Sequence, residues 1–182
     1  MKIRPTAIPE VLQIEPRVYA DDRGFFLEIW NARTFAAAGL EIDFVQDNHS
    51  RSAGGCVRGL HYQLERPQGK LVRVITGRVF DVAVDLRRSS PTFGQWVGAW
   101  LESDQPTFLW IPPGFAHGFY VAAGGADFFY KCTDFYSARD ERVIRWDDPD
   151  LAIDWPLADG EEPVVSDRDR GGVPFAAAET YD

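Results

Sequence analysis

The chain has 182 residues, a formal net charge of −9 at pH 7, and a composition that is 45% hydrophobic and 14% aromatic. At this length one domain can bury roughly 70% of its unfolded surface without a disulfide or metal staple, the apolar content excludes disorder, and the acidic balance argues against nucleic acid, which needs a basic footprint. Cys56 and Cys132 are the only cysteines and read as reduced intracellular thiols; no apolar run of leader or membrane-spanning type is present, so a soluble cytoplasmic protein without a membrane partner is expected.

In chain order, a strand is expected at 25–30, then a helix over 32–38 with Asn31 as N-cap and Gly39 as stop. Strands follow at 44–49, 57–63 and 70–75. The next segment, 79–86, alternates strictly: Phe80, Val82, Val84 and Leu86 on one face, Asp81, Ala83 and Asp85 on the other. Thr76-Gly77-Arg78 between the last two predicts a hairpin. Further strands are expected at 96–101, 108–111, 119–122 and 127–135, before a Pro-, Asp- and Gly-rich extended tail from 147 onward. Short strands spaced by Gly/Pro turns, with one or two short helices, predict an all-β fold, a double-stranded β-helix of the jelly-roll type. Residues 1–182 read as a single domain, with a barrel core over about 24–146 and the tail 147–182 packed on it.

The three histidines are His49, His61 and His117. In a small barrel, His-x-His on one strand with a later Pro-x-Gly-x-x-His reads as a metal site. Here the second position is Gln63, a poor ligand, which removes the centre of the metal reading and leaves His61 free for proton chemistry. His61 shares a strand face with Gly59 and Gln63. His117 follows Pro112-Pro113-Gly114, a rigid turn expected to set it at the barrel mouth. Gln46, Asp47, Asn48 and His49 form a polar group suited to either surface or pocket. Period two puts Phe128, Tyr130, Cys132, Asp134 and Tyr136 on one face, and a phenol there is a competent proton donor. Arg23, Arg58, Lys70 and Arg73 lie near strand signals and suggest an anion patch, although each alone is equally at home on a solvated surface. No Gly-rich phosphate loop is present.

Taken together, Arg23-Gly24-Phe25-Phe26-Leu27-Glu28, Gln46-Asp47-Asn48-His49-Ser50, Arg58-Gly59-Leu60-His61-Tyr62-Gln63, Gln68-Gly69-Lys70-Leu71-Val72-Arg73-Val74, Pro112-Pro113-Gly114-Phe115-Ala116-His117-Gly118-Phe119, Tyr130-Lys131-Cys132-Thr133 and Ser166-Asp167-Arg168-Asp169 resemble the dTDP-4-dehydrorhamnose 3,5-epimerase family, in order over residues 5 to about 172. The resemblance implies a cupin-type jelly roll, a homodimer with sites partly built from the partner chain, and a dTDP-sugar substrate. It implies neither metal nor organic cofactor. The implied reaction inverts C3 and C5 of dTDP-4-dehydro-6-deoxy-D-glucose on the route to dTDP-L-rhamnose. Carried over by motif, His61 would accept the proton, Asp169 would orient it, Tyr130 would be the acid on the opposite face, and Lys70 and His117 would lie near the sugar's keto and hydroxyl oxygens. Arg23, Phe26, Glu28, Gln46, Asn48, Arg58, Glu141 and Arg168 would line the substrate, and Asp47 and Tyr136 are counted with them. The connection from Gln63 to Lys70 is one residue shorter than the common family pattern, and Arg168 stands where the family has a lysine.

These residue types suit that reaction. A hydrogen beside a ketone becomes acidic only if the enolate is stabilised, so the site needs a base over the carbon, a cation or donor at the oxygen and an acid on the far face. Imidazole, with an ordinary pKa near ~6.5, accepts protons at cytoplasmic pH. The competing expectations are an epimerase acting at C3 alone or on another dTDP-4-ketosugar, a metal-dependent cupin enzyme, and a non-catalytic sugar-nucleotide binder. Arg58 has the opposite strand parity to His61, so either a bulge turns it inward or it serves a partner's site.

Overall fold

Alternating apolar and polar residues separated by glycine and proline fold into strands along most of the chain. The computed structural model describes residues 1–158 and 160–182. The elements run β1 (Lys2–Pro5), β2 (Leu12–Glu15), β3 (Val18–Asp21), β4 (Gly24–Leu27), α1 (Ala32–Ala37), β5 (Gln46–Ser52), β6 (Val57–Gln63) and β7 (Lys70–Thr76). They continue with β8 (Arg78–Asp85), β9 (Trp96–Glu102), β10 (Phe108–Ile111), β11 (Phe115–Val121), β12 (Ala126–Cys132), β13 (Glu141–Val143) and α2 (Asp167–Arg170). Two antiparallel sheets, ordered β1-β2-β10-β7-β12-β5 and β13-β6-β11-β8-β9, face each other as the expected jelly roll. The first sheet begins well upstream of residue 24. β1 has almost no buried residue, so alternation could not announce it.

The fold has apolar layers on both sides of each sheet. Between the sheets lie Val72, Val74, Leu109 and Phe128 from the first, and Val79, Ala83, Val97 and Phe119 from the second. On the outer face of the first sheet, Phe35 of α1 packs with Leu71, Phe108 and Trp110. On the outer face of the second, Leu60, Val82, Val84 and Leu86 meet Leu151, Trp155, Val165 and Ala178 of the tail. The alternation read at 79–86 thus separates two environments. Its apolar face lies under the tail, and its Asp81/Ala83 face looks into the barrel.

α1 forms as its sequence indicates: the Asn31 side chain accepts from Arg33 N and Thr34 N, and Gly39 follows with φ +86°. The hairpin expected at 76–78 does not form. β7 and β8 belong to different sheets, and Thr76-Gly77-Arg78 carries the chain from one to the other. A tight glycine turn between two strands is the same signal in both cases; sheet membership is set by which neighbours bury the strand faces. β12 also stops at Cys132 rather than at 135, and β11 starts at Phe115 rather than at 119.

Gly77 has φ +82°, and a Cβ there would meet Gly125 O at 2.1 Å; Gly124 has φ +95° with nothing within 4 Å. Gly124→Ala should cost about 1–2 kcal/mol from left-handed backbone alone. Gly77→Ala should cost roughly 3 kcal/mol or more, because the backbone must also move. Urea denaturation of the two variants gives the comparison, and equal costs would mean that the inter-sheet turn is not pressed against residue 125.

Candidate active site

The centre of the site is a bulge in β6. Along β11, His117 is the Cα partner of His61 but Phe119 is the partner of Arg58, so two steps on β11 face three on β6. The extra residue cancels the parity that would have set Arg58 and His61 on opposite faces, and both reach one cleft. Glycine permits this crowding: Gly59 has φ +118°, and a Cβ on it would lie 2.5 Å from Gly118 Cα.

His61 Nε2 lies 2.6 Å from Asp169 Oδ1. Asp169 is buried and comes from α2, where its N–H is capped by Ser166 Oγ at 3.1 Å. Its second oxygen accepts from Gly59 N at 3.3 Å. Burial pushes the Asp169 carboxyl up, but the His61 hydrogen bond and charge, with Gly59 and Ser166, outweigh it and hold the group below the ordinary carboxylate range. An ionised carboxylate only accepts, so Nε2 of His61 donates and Nδ1 is left as the basic nitrogen.

Tyr130 of β12, Lys70 at the start of β7, and His117 line the same cleft. Burial, aided by Cys132 and Glu141 and opposed by Arg58, pushes the Tyr130 phenol up to about 12, which keeps it protonated at neutral pH. Burial pulls the Lys70 ammonium below the ordinary lysine range, against the pull of Cys132, Asp81 and Glu141. His117 is buried inside β11, not at the barrel mouth, because the strand begins at Phe115. Its Nε2 lies 2.8 Å from Asp81 Oδ2. Burial lowers the His117 pKa and raises that of Asp81, each opposed by the attraction between them.

Glu141, with a side chain 9% exposed, ties the rim. It accepts from the Tyr136 hydroxyl at 2.6 Å and pairs with Arg168. Gln46 accepts from Tyr136 N at 2.9 Å and donates to Asn48 at 3.1 Å, and Asn48 donates to Cys132 Sγ at 3.5 Å. Asp47 has the opposite parity and pairs with Lys131 on the outer face at 2.6 Å. Of the four cations read as an anion patch, Arg58 and Lys70 reach the cleft. Arg73 turns outward, its guanidinium 5.6 Å from the Phe108 ring centroid, and Arg23 pairs with Asp21 at 2.5 Å. Phe26 is exposed on the β3–β4 ribbon, and Glu28 accepts from Asn31 at 2.9 Å; neither lines this cleft. Asp134 leaves the strand face and pairs with Arg66. Gln63 is buried and bonds to loop backbone. Among the described residues no group of three or more His, Cys, Asp or Glu side chains is gathered as a metal site.

Sequence reasoning did not single out Asp81, Ser50 or Phe119. Asp81 was legible only as a polar position on an alternating strand. Its neighbour His117 became visible through the pairing of β8 with β11.

A family model described as dTDP-4-dehydrorhamnose 3,5-epimerase matches residues 5–177. The chain is 57% identical over 182 residues to the dTDP-4-dehydrorhamnose 3,5-epimerase of Pseudomonas aeruginosa, covering 100% of this chain and 99% of that one. It superposes with a TM-score of 0.93 on the dTDP-6-deoxy-D-glucose-3,5-epimerase of Legionella pneumophila Philadelphia 1 in complex with dTDP-4-keto-L-rhamnose, at 51% identity and with 98% and 94% of the two chains covered. A 3'-monoepimerase from Streptomyces bikiniensis, in complex with dTDP-quinovose, gives a TM-score of 0.87 at 32% identity, covering 94% of this chain and 87% of that one.

With three histidines in the chain, imidazole NMR resolves each titration. His117 should protonate below the ordinary value of ~6.5, since burial is the leading influence on it. Asp81→Asn should lower it further, because the neutral amide removes the attraction that opposes burial. A His117 titration at or above the ordinary value would reverse this account of the pair.

Proposed function

That this chain belongs to the dTDP-4-dehydrorhamnose 3,5-epimerase family is the premise from which we propose how its cleft works. The protein is an epimerase, hence an isomerase, which inverts C3 and C5 of dTDP-4-dehydro-6-deoxy-D-glucose in dTDP-L-rhamnose biosynthesis. The contact of His61 with Asp169 at 2.6 Å, in one cleft with Tyr130 and Lys70, carries the assignment of roles.

His61 Nδ1 takes the proton from the carbon beside the C4 ketone, and the Asp169 carboxylate stabilises the imidazolium that forms, as in the base half of a hydrolase triad. Lys70 and His117 stand at the ketone oxygen where negative charge develops. Tyr130, protonated and on a different strand, returns a proton to the opposite face, so the carbon is inverted with no net change in composition; the imidazolium then gives up its proton to solvent and the phenolate takes one back, which restores both groups for the second carbon. Arg58 and Arg168 hold the diphosphate, Tyr136 lies at the nucleotide end, and Glu141 orients Arg168 and the Tyr136 hydroxyl. Charge-assisted hydrogen bonds from arginine suit phosphate, and in a chain of net charge −9 they must be local.

We place a second copy of the chain over the β3–β4 ribbon. Neither strand pairs with a barrel sheet, an isolated two-stranded ribbon is marginal in water, and Phe25 and Phe26 are 62% and 68% exposed. Arg23, Phe26 and Glu28 would then serve the partner's cleft. That cleft, about 260 Å³ within one chain, suits a sugar ring better than a whole sugar nucleotide. The working unit is residues 1–182 as one domain, with the tail 147–182 supplying Arg168 and Asp169. Its place is the cytoplasm, and no helix among the described residues is long and apolar enough to cross a membrane.

Proton NMR of the substrate with enzyme in D₂O should show loss of both the C3 and C5 signals; exchange at C3 alone would move the protein to the monoepimerase class. His61→Ala and Asp169→Ala should bind substrate but lose at least about 10²-fold in exchange at both carbons. Tyr130→Phe should still exchange yet invert poorly, and normal inversion by that variant would overturn its role as acid. Activity per chain should fall as the enzyme is diluted below its dimerisation constant; full activity in a monomer at nanomolar concentration would end the shared-site proposal.

A further inference from the structure

Gln63 closes β6 at the position where a metal-binding barrel of this pattern carries its second histidine, yet its amide is directed at backbone. The residue is 3% exposed. Nε2 donates to Arg66 O at 2.8 Å and to Phe135 O at 3.2 Å, while Oε1 accepts from Ser137 N at 2.7 Å. The backbone is therefore gripped on both sides of Tyr136. That tyrosine is half-exposed on the cleft, with its hydroxyl on Glu141. Gln63 is itself anchored: its carbonyl accepts from the Tyr181 hydroxyl at 2.6 Å, and it is the Cα partner of Glu141 across β6 and β13. One side chain thus joins the end of the catalytic strand to the loop that carries the aromatic rim.

We propose that Gln63 is a positioning residue that sets the Tyr136 ring against the nucleotide end of the substrate, a role that rests on the epimerase reading and its assignment of Tyr136. The chemistry demands an amide. An amide accepts from an N–H and donates to two carbonyls at once. A glutamate here keeps the acceptor but turns lone pairs toward two carbonyl oxygens. A leucine leaves all three backbone groups without their partner, and buried groups left that way are costly. The loop then settles elsewhere and takes Tyr136 with it. His61, Asp169 and Lys70 are held by α2 and by sheet pairing and stay in place.

The test measures dTDP binding by calorimetry and steady-state kinetics on the ketosugar for Gln63→Leu, Gln63→Glu, Tyr136→Ala and the double variant Gln63→Leu/Tyr136→Ala. Gln63→Leu should weaken dTDP binding about tenfold and raise KM by a similar factor, with kcat and proton exchange at saturation changed less than about threefold. In the Tyr136→Ala background the same substitution should add less than about twofold, because the two act as one unit. Gln63→Glu should recover affinity as the pH is lowered from about 8 to about 6, since the protonated acid regains a donor. This variant also decides the matter if Gln63→Leu does not fold. Unchanged dTDP affinity in folded Gln63→Leu, a full additional tenfold loss in the double variant, or a pH-independent defect in Gln63→Glu would each overturn the proposal. Undiminished dTDP affinity in Tyr136→Ala would overturn the reading of Tyr136 and the proposal with it. Failure of the unaltered protein to bind dTDP would instead overturn the epimerase assignment.

Discussion

His61 and Asp169 are 108 residues apart in the chain and 2.6 Å apart in space, and much of the architecture serves that contact. Asp169 lies on a four-residue helix that could not persist alone. It is kept by the Ser166 cap, by Gly59 N–H on the carboxylate, and by the Arg168 pair with Glu141. Beyond those contacts, the tail is fixed to the barrel by the apolar layer of Leu151, Trp155, Val165 and Ala178 against the outer face of the second sheet. Short bridges from Cys56 to Val164 and from Ile144 to Val173 frame the helix on both sides. The tail is thus a structural wall on one side and the source of a carboxylate on the other.

Two histidine–aspartate pairs meet across β6 and β11, whose His61 and His117 are Cα partners, and their settings differ. Asp169 gains hydrogen bonds from several donors and lies below the ordinary carboxylate range. Asp81 has one oxygen on His117, the other has no hydrogen-bond partner among the described residues, and burial pushes it up. The two carboxyl groups are thus shifted in opposite directions by their surroundings, one by its donors and the other by burial. Lys70, drawn down by burial, lines the same cleft as both histidines in an otherwise acidic chain. The burial that shifts these groups comes from the same packing that closes the barrel.

Much of the barrel was readable in advance, and the exceptions share a cause. Strands 57–63 and 108–111 coincide with β6 and β10 because their ends are marked by turns and their apolar content is high. The start and stop of α1 were legible from Asn31 and Gly39 alone. The 76–78 hairpin was not, because a glycine turn does not report whether the next strand joins the same sheet. Lys70, His61, Tyr130 and Asp169 were named from local motifs and are brought together. Asp81 was passed over, its significance lying wholly in a cross-strand neighbour. Asp47, counted with the substrate-lining residues, pairs with Lys131 on the other face of its strand, and Arg73 of the candidate anion patch lies over Phe108: one residue of parity sends a side chain to the other face of its sheet.

Composition and pattern by themselves determined that this chain is an all-β fold of short strands, that a helix starts at Asn31, and that glutamine stands at position 63 where a metal-binding barrel of this pattern has its second histidine. Each of those properties is local, a matter of side-chain chemistry and of period two or 3.6. Tertiary structure alone decided that Arg58 turns inward at a bulge, that Asp81 backs His117, that Gln63 holds the Tyr136 loop, and that the β3–β4 ribbon stands apart from both sheets. Each of these depends on the register of strands distant in sequence, which is settled by the joint burial of three apolar layers and is written in no single segment.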